Sequence, residues 1–358
     1  MNLLILLIIP SVISFILFPV VIKFAFKYGF TDDPSKSKHP AKLHLKILPR
    51  MGGIAPFIAI LLTILIFIPL DKHLTGMLIA SLILLLINTL DDKYDIHPLI
   101  RFGVEFVAAS IIVISGVGIS SLSIPFLGNI DLNIIDIPIN FLGEHHFFPL
   151  ADILAVFWIM TVINFVNWSS GVDGQLPMLT IISLAFIALL ASQFISYDNS
   201  QWTIIKICLI TIGSVIPFLI FNWHPAQILP GDGASTFLAL IISTLAIYSG
   251  SKTATTILIL GVPIMDGLWT IGRRIYKGKL PIWGDREHLH HKLLNIGWTH
   301  EKITVFYGAV TLILGLIAIY SSKITKFWSI ITTGILLVGL TLYLGFLGKK
   351  KPKTQNNS

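Results

Sequence analysis

Residues 74–93 read LTGMLIASLILLLINTLDDK. From Leu74 to Ile87 no side chain carries a charge, and such a stretch belongs in a hydrocarbon core roughly 30 Å thick. Asn88, Thr89, Asp91 and Asp92 then end the apolar run abruptly. A helix C-terminus already presents partial negative charge, so two carboxylates there call for an opposing cation. Lys93 and Arg101 supply it on the plain reading; a bound divalent metal or a catalytic role is the sharper one. Adjacent helical residues point about 100° apart, which gives the two acids different jobs.

The same alternation of apolar run and polar end extends in both directions. About eleven spans follow, near residues 3–22, 53–70, 74–90, 102–120, 151–167, 177–196, 203–221, 235–250, 254–272, 303–321 and 327–347. Of the 358 residues 54% are hydrophobic and 12% charged, against about 25% charged in soluble domains. A water-soluble fold is excluded. The expected fold is an all-α polytopic membrane protein of about 10–11 transmembrane helices, one integral membrane domain over 1–348 with a basic tail at 349–358. The first span lacks the basic n-region and cleavage site of a secretory signal and reads as a retained helix. The single cysteine, Cys208, lies in an apolar run, which excludes an intrachain disulfide or a thiolate metal cluster.

Basic residues fall on alternate connections. Lys23 to Arg50, Lys93, Arg101, Arg273 to Lys302 and the tail lysines occupy one set, while the other holds Lys72, Lys252, Lys323 and Lys326, with Lys206 near it. The positive-inside rule puts the first set in the cytoplasm, the N-terminus outside and the C-terminus inside. The net charge of +7 follows from that bias and requires no nucleic-acid partner. Residues 121–150 contain no Lys or Arg, and 124–139 surround a Gly128-Asn129 turn signal, which predicts a small external β-hairpin.

Five polar patches converge on the cytoplasmic side. Asp32-Asp33-Pro34 precedes Lys42, His44, Pro49 and Arg50-Met51-Gly52-Gly53; a solvated basic loop explains this, and so does a phosphate cradle of cations and backbone N–H groups. Asp91-Asp92 is the second patch. In the third, Asn164, Asn167, Ser170 and Asp173 recur every third residue before Gly174; asparagines can be interhelical glue, but a face ending in an acid and glycines favours a ligand site. The fourth runs from Asn222-Trp223-His224-Pro225-Ala226 to Pro230-Gly231-Asp232-Gly233. Asp232 reads either as a helix N-cap or as a metal ligand at a diphosphate site. The fifth holds Asp266, an intramembrane carboxylate that is functional by default unless it pairs with Arg273, and Arg286-Glu287-His288-Leu289-His290-His291. Three close histidines suggest zinc at first sight, yet no completing ligand stands at a familiar spacing, and phosphate recognition suits the neighbours better.

In this order the patches resemble the polyprenyl-phosphate N-acetylhexosamine-1-phosphate transferases. Lys42-x-His44, Pro49-x-x-Gly52-Gly53, Leu90-Asp91-Asp92, Asn164-x-x-Asn167, Asp173-Gly174, Asn222-x-x-Pro225-Ala226, Gly231-Asp232, Pro263-x-x-Asp266 and His288-Leu289-His290-His291 carry the resemblance. It implies a bacterial inner-membrane enzyme moving N-acetylhexosamine-1-phosphate from a UDP-sugar to undecaprenyl or polyprenyl phosphate, with Mg²⁺ as cofactor and Mn²⁺ as a substitute. Catalytic candidates are then Asp91, Asp92, Asp232, His288, His290 and His291, with Asp232 and Asp91 at the metal. Substrate-binding candidates are Lys42, His44, Asn164, Asn167, Asp173, Asn222, Asp266 and Arg286. The resemblance places Asp173 and Asn222 at the nucleotide, Asp91 and Asp92 at the lipid phosphate and the histidines near the phosphates. The compact 288–297 stretch is similar to the UDP-N-acetylglucosamine branch. Two positions depart from the family pattern: Ser170 stands where an aspartate is usual, and Leu229 where a phenylalanine often stacks on uracil.

Rival readings are a muramoyl-pentapeptide branch enzyme, a lipid transporter, or an inactive scaffold homologue, the last motivated by Ser170. A transporter would gather its polar residues near the midplane on several spans, whereas these gather at one interface. The sequence leaves the oligomeric state open, a homodimer included.

Overall fold

The computed structural model describes residues 2–34, 46–124, 127–140, 144–249, 253–278 and 287–350. Lys42, His44 and Arg286 lie outside the described residues, as does the tail beyond residue 350. The chain enters through α1 (Ile5–Tyr28), passes a two-residue strand pair, β1 (Thr31–Asp32) with β2 (Leu48–Pro49), and continues into α2 (Ile54–Phe67), α3 (Lys72–Tyr94) and α4 (Pro98–Ile114). Four short strands follow: β3 (Ser121–Ile124), β4 (Gly128–Asp131), β5 (Ile137–Asn140) and β6 (Glu144–Phe147). The remaining helices are α5 (Pro149–Trp168), α6 (Gln175–Ser192), α7 (Gln201–Asn222), α8 (Gly231–Tyr248), α9 (Thr253–Ile259), α10 (Gly261–Tyr276), α11 (Leu289–Asn295), α12 (His300–Tyr320) and α13 (Lys323–Lys350).

Local chemistry sets these boundaries. Asp71 caps α3 by accepting the Leu74 N–H at 2.7 Å, and Pro98 and Pro149 open α4 and α5, where a missing N–H costs nothing. Gly29 (φ +72°) ends α1 in the left-handed conformation. Within the helices, Thr63, Thr180 and Thr341 return their hydroxyls to the carbonyl four residues back, which satisfies these donors in a medium without water.

Eight described helices are long and apolar enough to cross a membrane: α1, α3, α5, α6, α7, α8, α12 and the 323–347 part of α13. This makes the chain a multi-pass membrane protein. The other three expected spans also fall on helices but in altered form. α2 has 14 residues and α4 has 17, and the ninth span is broken at Leu260 into α9 and α10. α8 is the centre, with 83% of its apolar window buried, against 17% for α13 at the periphery. α3 and α5 pack on α8, and α1 and α6 pack on α7. Outward-facing Ile16, Leu65, Ile114, Phe157 and Ile335 are exposed, as suits contact with lipid chains.

The expected single hairpin is two. β3 pairs antiparallel with β4, and β5 with β6. The Asp131 carboxylate accepts the Asn133 N–H at 2.9 Å, a local turn that stops β4 and frees the second apolar segment to pair with residues 144–147 instead of with 121–124. Both hairpins lie between the end of α4 and the start of α5, at the opposite end of the bundle from the polar motifs.

Candidate active site

At the C-terminal end of α3, Asp91 and Asp92 meet the N-terminus of α8. Arg101 Nη1 lies 2.8 Å from Asp91 Oδ2 and 2.9 Å from Asp232 Oδ2. Arg50 places Nε 2.9 Å from Asp92 Oδ1 and Nη2 3.3 Å from Asp232 Oδ1. Two arginines thus tie three aspartates from two motifs into one cluster. The two acids of α3 do take different partners: Asp91 also accepts the Ile96 N–H at 2.6 Å, while both oxygens of Asp92 accept the Asp232 N–H at 3.1 Å. Lys93, expected as a counter-ion, turns away to the Tyr28 carbonyl and the Phe30 ring.

Asp232 is not an N-cap. It lies one residue inside α8, whose first turn carries no side-chain cap, and Asp92 receives its backbone N–H. Gly231, at φ +67°, brings the backbone so close that a Cβ there would overlap the Asp92 carboxylate. A side chain at that junction would be strained and would push the Asp92 carboxylate aside. Asp91 and Asp92 side chains are 5% and 2% exposed, but that of Asp232 is 20% exposed, so Asp232 is the most accessible of the three carboxylates.

The end of α5 links this cluster to the others. Asn164 Nδ2 donates to the buried Glu105 of α4, one turn beyond Arg101, and Asn167 follows one turn later, half-buried. Glu105 was missed by sequence reasoning; its signal was an acid four residues from Arg101 inside an apolar helix. Trp168 packs 6.1 Å from the His288 ring and carries the Arg274 guanidinium over its face. Beyond it, Gly171 abuts His290, since a Cβ there would overlap the imidazole.

The histidine patch is organised by Asp266. Its Oδ2 lies 2.8 Å from His288 Nδ1, and its Oδ1 accepts the Leu289 N–H at 2.9 Å; His288, and not Arg273, is the partner in these contacts. Anchoring Nδ1 fixes the orientation of the buried His288 ring. His290 stacks parallel to His288 and against His291, and its Nδ1 is buried without a hydrogen-bond partner among the described residues. Burial, and then the neighbouring His291, His288 and His300, hold the His290 imidazole well below its ordinary value and keep it neutral.

Asp173 follows in the loop between α5 and α6. Its Oδ2 lies 2.6 Å from His224 Nδ1 and 3.5 Å from His300 Nδ1. Burial alone would raise this carboxyl, but hydrogen bonds with His300, His224 and the Ala226 N–H hold it below its ordinary value. Asn222 is fully buried, its amide spanning from the Gly174 N–H to the Ile228 carbonyl, both at 2.8 Å. It braces the loop that carries Asp173 against the turn before α8.

Three aspartates, two arginines and a buried histidine group at one end of an apolar helical bundle define a membrane-bound enzyme that handles phosphate groups at a lipid–water boundary. The family model for glycosyl transferase family 4 matches residues 74–250, from α3 to α8. A Bacillus subtilis (strain 168) protein named "Probable undecaprenyl-phosphate N-acetylglucosaminyl 1-phosphate transferase" is 31% identical over 352 residues, 95% of this chain and 92% of its own. The undecaprenyl-phosphate alpha-N-acetylglucosaminyl 1-phosphate transferase of Yersinia pestis is 25% identical, covering 90% of this chain and 85% of its own. The decaprenyl-phosphate N-acetylglucosaminephosphotransferase of Mycobacterium leprae (strain TN) is 26% identical, covering 85% and 79%. The chain belongs to glycosyl transferase family 4 and is a multi-pass membrane transferase.

Proposed function

We propose that this enzyme transfers N-acetylglucosamine-1-phosphate from UDP-N-acetylglucosamine to undecaprenyl phosphate at the cytoplasmic face of the bacterial plasma membrane, the first membrane step of an envelope glycan. The observation that carries this reading is the cluster of Asp91, Asp92 and Asp232 clasped by Arg50 and Arg101, at the end of the bundle where lipid headgroup and aqueous nucleotide meet. An oxygen of the lipid phosphate attacks the β-phosphorus of the donor. The bond from that phosphorus to the oxygen bridging the two phosphates breaks, and UMP leaves with the electron pair.

Such a transfer depends on in-line positioning and charge neutralisation. Arg50 and Arg101 are cations already poised at the cluster; His288 and His290 offer imidazole nitrogens to phosphate oxygens. The lipid phosphate is ionised at neutral pH, so Asp91 and Asp92 serve to orient the cations and the Asp232 backbone, with no proton to remove. The donor set at Asp232 and Asp91 is carboxylate oxygen only, which suits Mg²⁺. Held by these two residues, Mg²⁺ would neutralise charge on the diphosphate. Asp173, braced by Asn222, lies on the nucleotide side.

The test is a transfer assay on purified protein with undecaprenyl phosphate and a panel of UDP-sugars. UDP-N-acetylglucosamine should yield the lipid-linked diphosphosugar and stoichiometric UMP. Turnover of a muramoyl-pentapeptide donor in its place would overturn the donor assignment.

A further inference from the structure

Asp173, His224 and His300 come from three separate elements, the α5–α6 loop, the end of α7 and the first residue of α12. They form a group of the metal-binding type, one ligand atom from each lying within 4.8 Å of the other two. The histidines stack, ring centroids 4.5 Å apart at 27°, and both Nδ1 atoms lie near the same carboxylate oxygen; His300 Nδ1 also accepts the Asp173 N–H at 3.3 Å, a bond that a metal at this lone pair would replace. We propose that these three side chains form a zinc site, distinct from the carboxylate site assigned to Mg²⁺.

The donor chemistry selects the ion. Two imidazole nitrogens and one carboxylate oxygen suit Zn²⁺ and its neighbours in the transition series, whereas Mg²⁺ prefers oxygen. Ligand bonds of about 2.0–2.2 Å put tetrahedral ligand atoms roughly 3.3–3.6 Å apart. The Asp173–His300 separation of 3.5 Å already meets this. The Asp173–His224 contact of 2.6 Å must open by under about an ångström, which His224, 38% exposed on its side chain, has room to do. The carboxylate is held in place from behind: the Ala226 N–H donates to Oδ2 at 3.3 Å, and Thr304 donates to the Asp173 carbonyl at 2.7 Å. Outer partners of this kind fix ligand orientation. Three protein ligands leave a fourth position open to water. Where Asp173 contacts the donor nucleotide, a consequence that rests on the function proposed above, a filled site withdraws that carboxylate and Zn²⁺ inhibits in competition with the donor.

Cobalt is the spectroscopic probe. The full-length protein, purified in detergent without a polyhistidine tag and kept in excess Mg²⁺, should take up one equivalent of Co²⁺ with visible d–d bands, and Zn²⁺ should displace it. His224→Ala and His300→Gln should each weaken Co²⁺ binding by roughly 10²-fold or more, while His291→Ala leaves it unchanged. The solvent-accessible His224 gives a variant that retains the fold, checked by an unchanged melting temperature. Absence of a saturable site, or bands that survive both His224→Ala and His300→Gln, would overturn the proposal. The cobalt titration needs no turnover. Co²⁺ uptake by a protein that transfers no sugar-phosphate would leave the zinc site standing and remove the proposed function, whereas transfer without Co²⁺ uptake would do the reverse.

Discussion

Leu229, which stands where an aromatic residue is usual, bears on the donor binding proposed above. Its backbone is fixed, the N–H bonded to the Pro49 carbonyl at 2.8 Å and the carbonyl to the Gly52 N–H at 3.0 Å, so a new side chain there leaves the chain path unchanged. With phenylalanine in its place, base stacking would add uniform binding. Leu229→Phe should therefore lower the donor KM with little change in kcat, as steady-state kinetics would reveal; a raised KM would mean the base lies elsewhere. At this scale the sequence was most legible where chemistry is adjacent in the chain. Asp91 and Asp92 announced themselves. Arg50 and Arg101 were visible as cations, but their joint grip on Asp232 spans 182 and 131 residues and has no local signature. The same holds for Asp173 and His224, 51 residues apart.

The elements were legible wherever an apolar run was long, and least so where it was interrupted. Pro263 and Asp266 sit within the ninth span, and the structure breaks there, just before Gly261, giving α10 the freedom to carry Asp266 to His288. The short α11 rests on that contact, and its buried neutral His290 gives a pH signature. A histidine lowered in the folded state binds its proton more readily when unfolded, so stability falls as pH drops through the unfolded value of about 6.5. The melting temperature of the detergent-purified protein should decline from about pH 7.5 to about pH 5.5, and His290→Gln should flatten that decline. Asp173, whose carboxyl is depressed, loses its contribution only as pH falls through the ordinary carboxylate value of about 3.9 and below, and does not confuse the reading. An equal decline in both proteins would refute the assignment to His290.

Over the whole molecule, the C-terminal ends of α1, α3, α5 and α7 meet the N-terminal ends of α2, α4, α6 and α8, which is what brings distant motifs together. The histidine end of the molecule also holds the late part of α13, since Lys292 donates to the Thr341 carbonyl at 3.2 Å. The late part of α13 and the motifs therefore share a side, and the hairpins lie opposite. A cytoplasm-active reporter fused after Lys353 should give signal and one after Asn129 should not; the reverse pattern would invert the proposed orientation. The central claim is that Asp232 acts through its charge at the arginine-clasped cluster, and Asp232→Asn isolates that charge while keeping the shape. Its ion pairs are partly exposed and contribute little to stability, so the melting temperature should hold. Transfer of N-acetylglucosamine-1-phosphate to undecaprenyl phosphate by the purified variant should fall by roughly 10²-fold or more. Near-normal transfer by Asp232→Asn would contradict the account.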